Sequence, residues 1–170
     1  MSFENFPELK DSDFLGVNSI QDLYVTKCES ISEKGGVYIV FRNNLAKPEF
    51  LENSIAGLYK GESLSVGMDD LIKNWVDDAK ILYIGKAGGT KKGGTPIAQG
   101  LKKRIRKMVN TGFKEKAQRR GGKLIWQLEG AQKLFLGWIV TTGIEPVDFE
   151  TQLKNKFRAK YGKLPFANLI

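Results

Sequence analysis

The residues of this chain best suited to chemistry are two tyrosines, a lysine, an arginine and a glutamate: Tyr38, Tyr83, Lys86, Arg104 and Glu150. The sequence contains no histidine, which removes the commonest general base. A guanidinium stabilises charge on phosphoryl oxygens, and one carboxylate with water and substrate can hold a divalent cation. A phenol can accept a proton from water when a nearby cation lowers its pKa from about 10. These groups suit the hydrolysis of a phosphodiester.

Arg104 and Glu150 lie on predicted helices. The apolar periodicity of each helix places the residue on or beside the face that packs on the core. Arg104 follows Leu101 by three positions and precedes Met108 by four, so it lies at the edge of an apolar stripe. Glu150 precedes Phe157 by seven positions and shares its face. Both also have a structural interpretation, because such an arginine commonly extends along the surface and a first-turn glutamate complements the helix dipole.

The two tyrosines stand in strand-like segments, "GGVYIV" and "LYIG". Side chains alternate between the two faces of a strand, so each tyrosine points away from its branched neighbours. If the strands pair, both hydroxyls meet on one side of the sheet, and Lys86 at the strand end joins them in one polar cluster. Strand tyrosines also commonly fill space, so a purely structural role stays open.

The elements that must position these residues follow from local patterns. Segments rich in β-branched and aromatic residues predict strands at 35–42, 80–85, 123–128 and 133–142. The intervening "EGAQ" predicts a hairpin that makes the last two strands antiparallel neighbours. Helical periodicity appears in "MDDLIKNWVDDA", in "IAQGLKKRIRKMV" and in a last helix with Asp148 as N-cap and Gly162 as its stop. The order predicts an α/β (α+β) domain with helices flanking a mainly antiparallel sheet.

Composition narrows the class of protein. A chain of 170 residues with 41% hydrophobic residues fits one domain, here expected to span 1–170. Cys28 is the only cysteine, which excludes a disulfide framework and a cysteine zinc site, so any metal must bind oxygen. No apolar run reaches the roughly 18 residues of a membrane span, and the start "MSFENFPELKDSD" lacks the basic and apolar character of a signal peptide. A cytoplasmic protein without membrane contact is expected.

The positive charge is concentrated in one segment. Residues 86–123 hold 13 of the 27 lysines and arginines and one acid, Glu115, whereas the rest carries 14 bases against 18 acids. Such a segment is typical of a surface that binds a polyanion, although a solvated lysine-rich helix would look similar. The bases expected to contact nucleic acid are Lys91, Lys92, Lys102, Lys103, Arg106, Lys107, Arg119 and Arg120.

A glycine next to a lysine after a strand also suggests a nucleotide-binding loop. The pattern GxxxxGK[ST] fails because Ala87 follows Lys86 and because Lys80, not glycine, stands five positions before Gly85. The pattern GxGxxG fails at Ala87 as well. A phosphotransferase of this kind is therefore a weak alternative.

Taken in order, the motifs resemble the GIY-YIG endonuclease superfamily. They are "GVY" at 36–38, "YIGK" at 83–86, Arg104 on a helix, Glu150 on a later helix, and "LPFAN" ending at Asn168. The resemblance implies a nuclease domain with a central three-stranded antiparallel sheet that cuts nucleic acid with one Mg²⁺ or Mn²⁺ ion.

The resemblance also implies residue roles. Glu150 would be the metal ligand, Arg104 would steady the scissile phosphate, and Tyr38 or Tyr83 would position or deprotonate the attacking water, with Tyr38 favoured. Lys86 would face the phosphate, where Gly85 lets the backbone turn, and Asn168 would order the site by hydrogen bonds.

The sequence departs from the family pattern at two points. The first motif reads GVY rather than GIY, a change of one methylene in a core residue. The tyrosines are 45 residues apart, so an insertion at roughly 43–79 replaces a short hairpin.

The expected activity is a metal-dependent endonuclease acting on DNA, of restriction, repair or mobile-element type. A nucleic-acid-binding module of the same fold without chemistry is the alternative, and RNA stays open as substrate. Cleavage of both strands would need a dimer, a partner protein or two visits.

Overall fold

The structure, a computed structural model, describes residues 13–169. The N-terminal stretch used above for the expected location therefore lies, apart from Asp13, outside the described residues. The strands are β1 (Gly16–Ser19), β2 (Gly36–Phe41), β3 (Ile81–Ala87) and β4 (Phe135–Val140). The α-helices are α1 (Ile20–Val25), α2 (Met68–Asn74), α3 (Leu101–Thr111) and α4 (Pro146–Tyr161), and 3-10 helices form at Lys123–Gln127 and Ala131–Lys133.

The strands form one antiparallel sheet in the order β1-β4-β2-β3. The predicted α+β class is confirmed, and so is the pairing of the two strands that carry the tyrosines. The sheet has four strands where three were expected, because β1 adds to the outer edge of β4. A four-residue strand is too short to show a clear alternation in the sequence.

Strand β2 is buried at all six positions because helices cover both faces of the sheet. Val37 and Ile39 pack with Leu153 of α4 on one face. Tyr38 packs with Leu101 of α3 and with α1 on the other. Alternate residues of one strand therefore serve two separate apolar layers.

The segment 123–128, predicted to be a strand, forms the 3-10 helix Lys123–Gln127 instead. Gly122 precedes it in the left-handed region with φ 77°, and Leu124 through Gln127 are all buried. A short continuous apolar run fits a buried helical turn as well as a buried strand, and periodicity does not separate the two. The predicted hairpin is therefore wrong, and β4 pairs with β2 and β1.

Two helices have boundaries that differ from the predicted ones. Helix α4 begins at Pro146 with Glu145 as N-cap, not at Asp148, because proline suits the first helical position. Its predicted stop at Gly162 is confirmed, with φ 76°. Helix α2 ends at Asn74, and Trp75 then turns to contact Phe166 at 5.0 Å between ring centroids.

The insertion at 43–79 is anchored by one buried amide. Gln127 is 0% exposed, and its Nε2 donates to the carbonyls of Leu51 and Val66 at 3.2 and 3.1 Å. Its Oε1 accepts from the Val66 N–H at 2.7 Å. These bonds satisfy main-chain groups that have no strand partner, so the insertion stays packed on the 3-10 helix.

Within residues 13–169, no helix combines the length and apolar character that crossing a membrane requires.

Candidate active site

Tyr38 of β2 and Tyr83 of β3 meet on the face of the sheet that α3 covers. Their ring centroids lie 5.9 Å apart with an interplanar angle of 50°. Tyr38 is 3% exposed, whereas Tyr83 is only partly buried. The expectation that both hydroxyls share one side of the sheet is confirmed.

Gly85 makes room for the ring of Tyr38, which lies opposite it in the register of the two strands. A Cβ at position 85 would lie 2.4 Å from Cζ and 2.6 Å from the hydroxyl oxygen of Tyr38. The expected turn at Gly85 is wrong, because β3 continues through Ala87. The glycine of "YIG" serves a close approach of an aromatic ring, not a change of chain direction.

Gly85→Ala should therefore displace the phenol of Tyr38. We expect a loss of roughly 1–3 kcal/mol of stability, as for overpacking in a core, and a changed near-ultraviolet circular dichroism spectrum. Denaturant unfolding measures the loss of stability. Gly67→Ala is the matched control, because a Cβ there would meet nothing within 4 Å. Equal stability of the two variants would contradict this account of Gly85.

The two phenols differ in how readily they ionise. Burial raises the pKa of Tyr38 well above its ordinary value, and the charge and hydrogen bond of Tyr83 raise it further. Burial also raises the pKa of Tyr83, but the hydrogen bond from Tyr38 and the charge of Arg119 act in the opposite direction. Tyr83 is thus the easier of the two to deprotonate, which favours it as a base over Tyr38.

Arg104 faces the tyrosines from α3. Arg104, Lys107 and Thr111 recur at helical spacing along the side of α3 that borders the tyrosine cleft. The Nε of Arg104 is buried and, among the described residues, has no hydrogen-bond partner. A buried guanidinium nitrogen without a partner is costly in the free protein, so its lack of a partner needs an explanation. The tyrosines and charged residues lining the cleft are Tyr38, Tyr83, Arg104, Lys107, Arg119 and Lys123.

Lys86 and Glu150 lie on the opposite face of β3. Lys86 is three positions from Tyr83 in a continuous strand, so alternation places it toward α4. Its Nζ lies 3.6 Å from Oε2 of Glu150, and Lys154 Nζ contacts Oε1 of the same carboxylate at 2.9 Å. The single polar cluster expected from the sequence is therefore divided between two faces. The charge of Glu150 nevertheless raises the pKa of both tyrosines, so the carboxylate on one face of β3 interacts electrostatically with the phenols on the other.

Asn168 holds the outer edge of β3 between these two groups. The Ile84 N–H donates to Asn168 Oδ1, and Asn168 Nδ2 donates to the Ile84 carbonyl, both at 2.8 Å. The Ala167 N–H donates to the Leu82 carbonyl at 2.8 Å. The C-terminal segment thus pairs with an edge that would otherwise expose unpaired main-chain groups. Asn168 positions the strand that carries both Tyr83 and Lys86.

A metal ion at this site would have a single carboxylate as its protein ligand. No group of three or more histidine, cysteine, aspartate or glutamate side chains that could hold a metal occurs in the described part of the chain. Mg²⁺ commonly keeps several waters and binds through one or two carboxylates and substrate phosphates. The oxygens of Glu150 fit a cation of that kind, which would compete with the two lysine ammonium groups.

The basic residues expected to contact nucleic acid fall into different environments. Arg106 donates from Nε and Nη2 to the Lys27 carbonyl at 3.0 and 2.7 Å, so it braces the loop after α1. Arg106 and Lys102 both lower the pKa of Cys28, which burial raises to about 11, so they face α1 and not the cleft. The remaining members divide between solvent and the cleft.

Lys91, Lys92 and Lys103 are exposed, Arg120 pairs with Glu62 at 3.4 Å, and Lys107 and Arg119 line the cleft. Lys123 lines it too and was missed, because its segment was assigned to a core strand. Its place directly after Gly121 and Gly122 in the basic segment was the available signal.

Comparison of the chain with protein-family models, with curated proteins and with solved structures finds no significant match.

Proposed function

We propose that this protein is a metal-dependent endonuclease of the GIY-YIG type that hydrolyses phosphodiester bonds in DNA. The observation that carries the proposal is a cleft lined by two neighbouring phenols, several cations and Arg104, whose buried Nε has no hydrogen-bond partner within residues 13–169. A site with this charge is suited to a phosphate, and phenols are the available bases in a chain without histidine.

The proposed roles follow from the contacts. Arg104 binds the oxygens of the scissile phosphate and stabilises the charge that develops on them. Tyr83 first loses its own proton to solvent, which burial disfavours and the charge of Arg119 favours, and as a phenolate it accepts the proton of the attacking water. Tyr38, whose burial keeps it protonated, donates to the Tyr83 oxygen. When bound at Glu150, a Mg²⁺ or Mn²⁺ ion would supply positive charge for phosphate oxygens and the leaving group. Lys86 and Asn168 hold the carboxylate and the strand that carries Tyr83.

DNA as the partner and a cytoplasmic location belong to the same proposal. The restriction, repair or mobile-element role stays open, as does RNA as substrate, because cations in a cleft bind phosphate before they distinguish the sugar. One site per chain cuts one strand, so cleavage of both would need two chains or two visits.

A second candidate is a nucleic-acid-binding module without chemistry. It is favoured by the contacts of Glu150, whose two oxygens are each engaged by a lysine. In that case the carboxylate would serve structure, and the basic cleft would bind nucleic acid without cutting it.

Nicking of a supercoiled plasmid distinguishes the two candidates. We expect wild-type protein with Mg²⁺ or Mn²⁺ to convert supercoiled DNA to the nicked form, and EDTA to prevent it. Dominant linear product at early times would indicate coupled cleavage of both strands. Salt-dependent binding without any product under either metal would reject the nuclease in favour of the binding module.

A further inference from the structure

The loop between α3 and the first 3-10 helix is joined to the insertion. The Gly57 N–H donates to the Thr111 carbonyl at 3.0 Å, and the Ala117 N–H donates to the Leu58 carbonyl at 2.9 Å. Tyr59 forms a parallel bridge with Ala117. Two separate parts of the sequence thus form one layer beside the tyrosine cleft.

Side chains reinforce the same junction. Arg120 pairs with Glu62 at 3.4 Å, and its guanidinium lies 5.2 Å from the ring centroid of Tyr59. A Cβ on Gly57 would lie only 1.8 Å from the Glu115 carbonyl oxygen, so the main chains of the insertion and the loop are in close contact. The position of this loop depends on the insertion.

The neighbouring Arg119 has a different environment. It lies exposed at the cleft, forms no salt bridge or hydrogen bond with the residues described, and lowers the pKa of both tyrosines. Lys123 enters the cleft just beyond it. The cleft is therefore lined by Arg104, Lys107, Arg119 and Lys123, and no carboxylate of residues 13–169 lines it. Like charges that line one cleft repel one another in the free protein, and an anion of more than one charge would relieve the repulsion.

We propose that Arg119 and Lys123 bind a second backbone phosphate, next to the one bound by Arg104, and that the insertion holds Arg119 in place for this contact. The inference rests on the proposed function, and it names the substrate as a polynucleotide with consecutive phosphates. It also assigns a role to the insertion. The insertion positions the loop that carries Arg119 and contributes no reacting group.

The test is DNA binding in EDTA, measured by fluorescence anisotropy on a labelled duplex over a series of salt concentrations. Each phosphate contact contributes about −0.9 to the slope of log K against log salt. Arg119→Gln should weaken binding about 5- to 10-fold at moderate salt and make the slope shallower by about 1, while Arg119→Lys retains the slope. Arg158→Gln, an exposed arginine on α4, is the charge-matched control. Equal slopes for Arg119→Gln and Arg158→Gln would overturn the proposal.

A charge-neutral variant tests the role of the insertion. Gly57→Ala should push the loop away from the insertion, because the new Cβ would collide with the Glu115 carbonyl of the loop. It should reduce the salt slope as Arg119→Gln does, although no charge is removed. A folded Gly57→Ala protein with the wild-type slope would reject the positioning role. If that variant does not fold, the positioning role is tested by the hydrogen-exchange protection of the Ala117 amide in the wild-type protein. A loop that is independent of the insertion would show no protection at this amide.

One further outcome would point to a different ligand. Inorganic phosphate that stabilises the wild type but not Arg119→Gln against heat, while the DNA slopes stay equal, would identify a site for free phosphate and overturn the proposal. The binding assay contains no metal, so it gives its answer whether or not the protein cleaves DNA. A protein that does not cleave DNA can therefore be distinguished from a protein that lacks the second phosphate contact.

Discussion

Glu150→Gln is expected to reduce plasmid nicking by about 10²–10³-fold, because a cation at this carboxylate would supply several kcal/mol of charge stabilisation in the transition state. The amide keeps the shape of the side chain but removes the negative charge that would hold the cation. Binding of DNA in EDTA should be equal to wild type or tighter, since one negative charge is removed near the phosphates. The rate of nicking and the dissociation constant, measured on the same preparation, test both parts.

The control for Glu150 is Asp148→Asn, which removes a carboxylate from an exposed position two residues earlier on α4. Asp148→Asn should cleave at the wild-type rate. Lys86 and Lys154 lose their partner in Glu150→Gln, but both side chains stay partly exposed, so the cost in stability should be about 1 kcal/mol or less. Cleavage by Glu150→Gln at the wild-type rate would remove the metal ligand from the proposal.

Arg104→Met is expected to have a comparable effect on cleavage through a different group. Removing a donor aimed at the developing phosphate charge commonly costs about 10²–10³-fold in rate. Methionine keeps much of the apolar stem that packs beside Met108, so the core should not collapse. Loss of a buried Nε without a partner should leave stability unchanged or raise it by roughly 1–2 kcal/mol.

A purely structural arginine would give the opposite stability result. Arg106→Met, on the same helix, removes two hydrogen bonds to the Lys27 carbonyl and should lower stability. Denaturant unfolding of both variants therefore separates an arginine reserved for a ligand from an arginine that holds the fold. A destabilised Arg104→Met with normal cleavage would assign Arg104 to the fold alone.

Both predictions depend on strand β3, which carries Tyr83 on one face and Lys86 on the other. The paired amide of Asn168 fixes the edge of this strand at Ile84, between the two faces. A phosphate bound at the α3 face and a cation bound by Glu150 would therefore have to meet around this edge. Ala167 and Asn168 already cover this edge at Leu82 and Ile84, so the phosphate and the cation would have to meet beyond them, toward Ala87 at the end of β3.

Much of the fold follows from local sequence patterns. The strands at 35–42 and 80–85 and the helices that carry Arg104 and Glu150 were predicted correctly in type, because long periodic segments depend on their own side chains. The shared face of Tyr38 and Tyr83 also followed, since strand alternation and antiparallel pairing leave little choice. The stop at Gly162 followed from the left-handed conformation that glycine adopts freely.

Other features were decided only by tertiary contacts. The run 123–128 became a 3-10 helix because its continuous burial is compatible with either structure, and Gln127 within it found its partners in residues more than 60 positions away. Lys86 joined Glu150 on the face opposite the tyrosines because β3 did not end at Gly85. The basic residues have different partners because different loops pack beside them: Arg106 contacts Lys27, Arg120 pairs with Glu62, and others line the cleft. Periodicity specifies which face of its own element a side chain occupies, whereas the partner across that face depends on how distant segments pack.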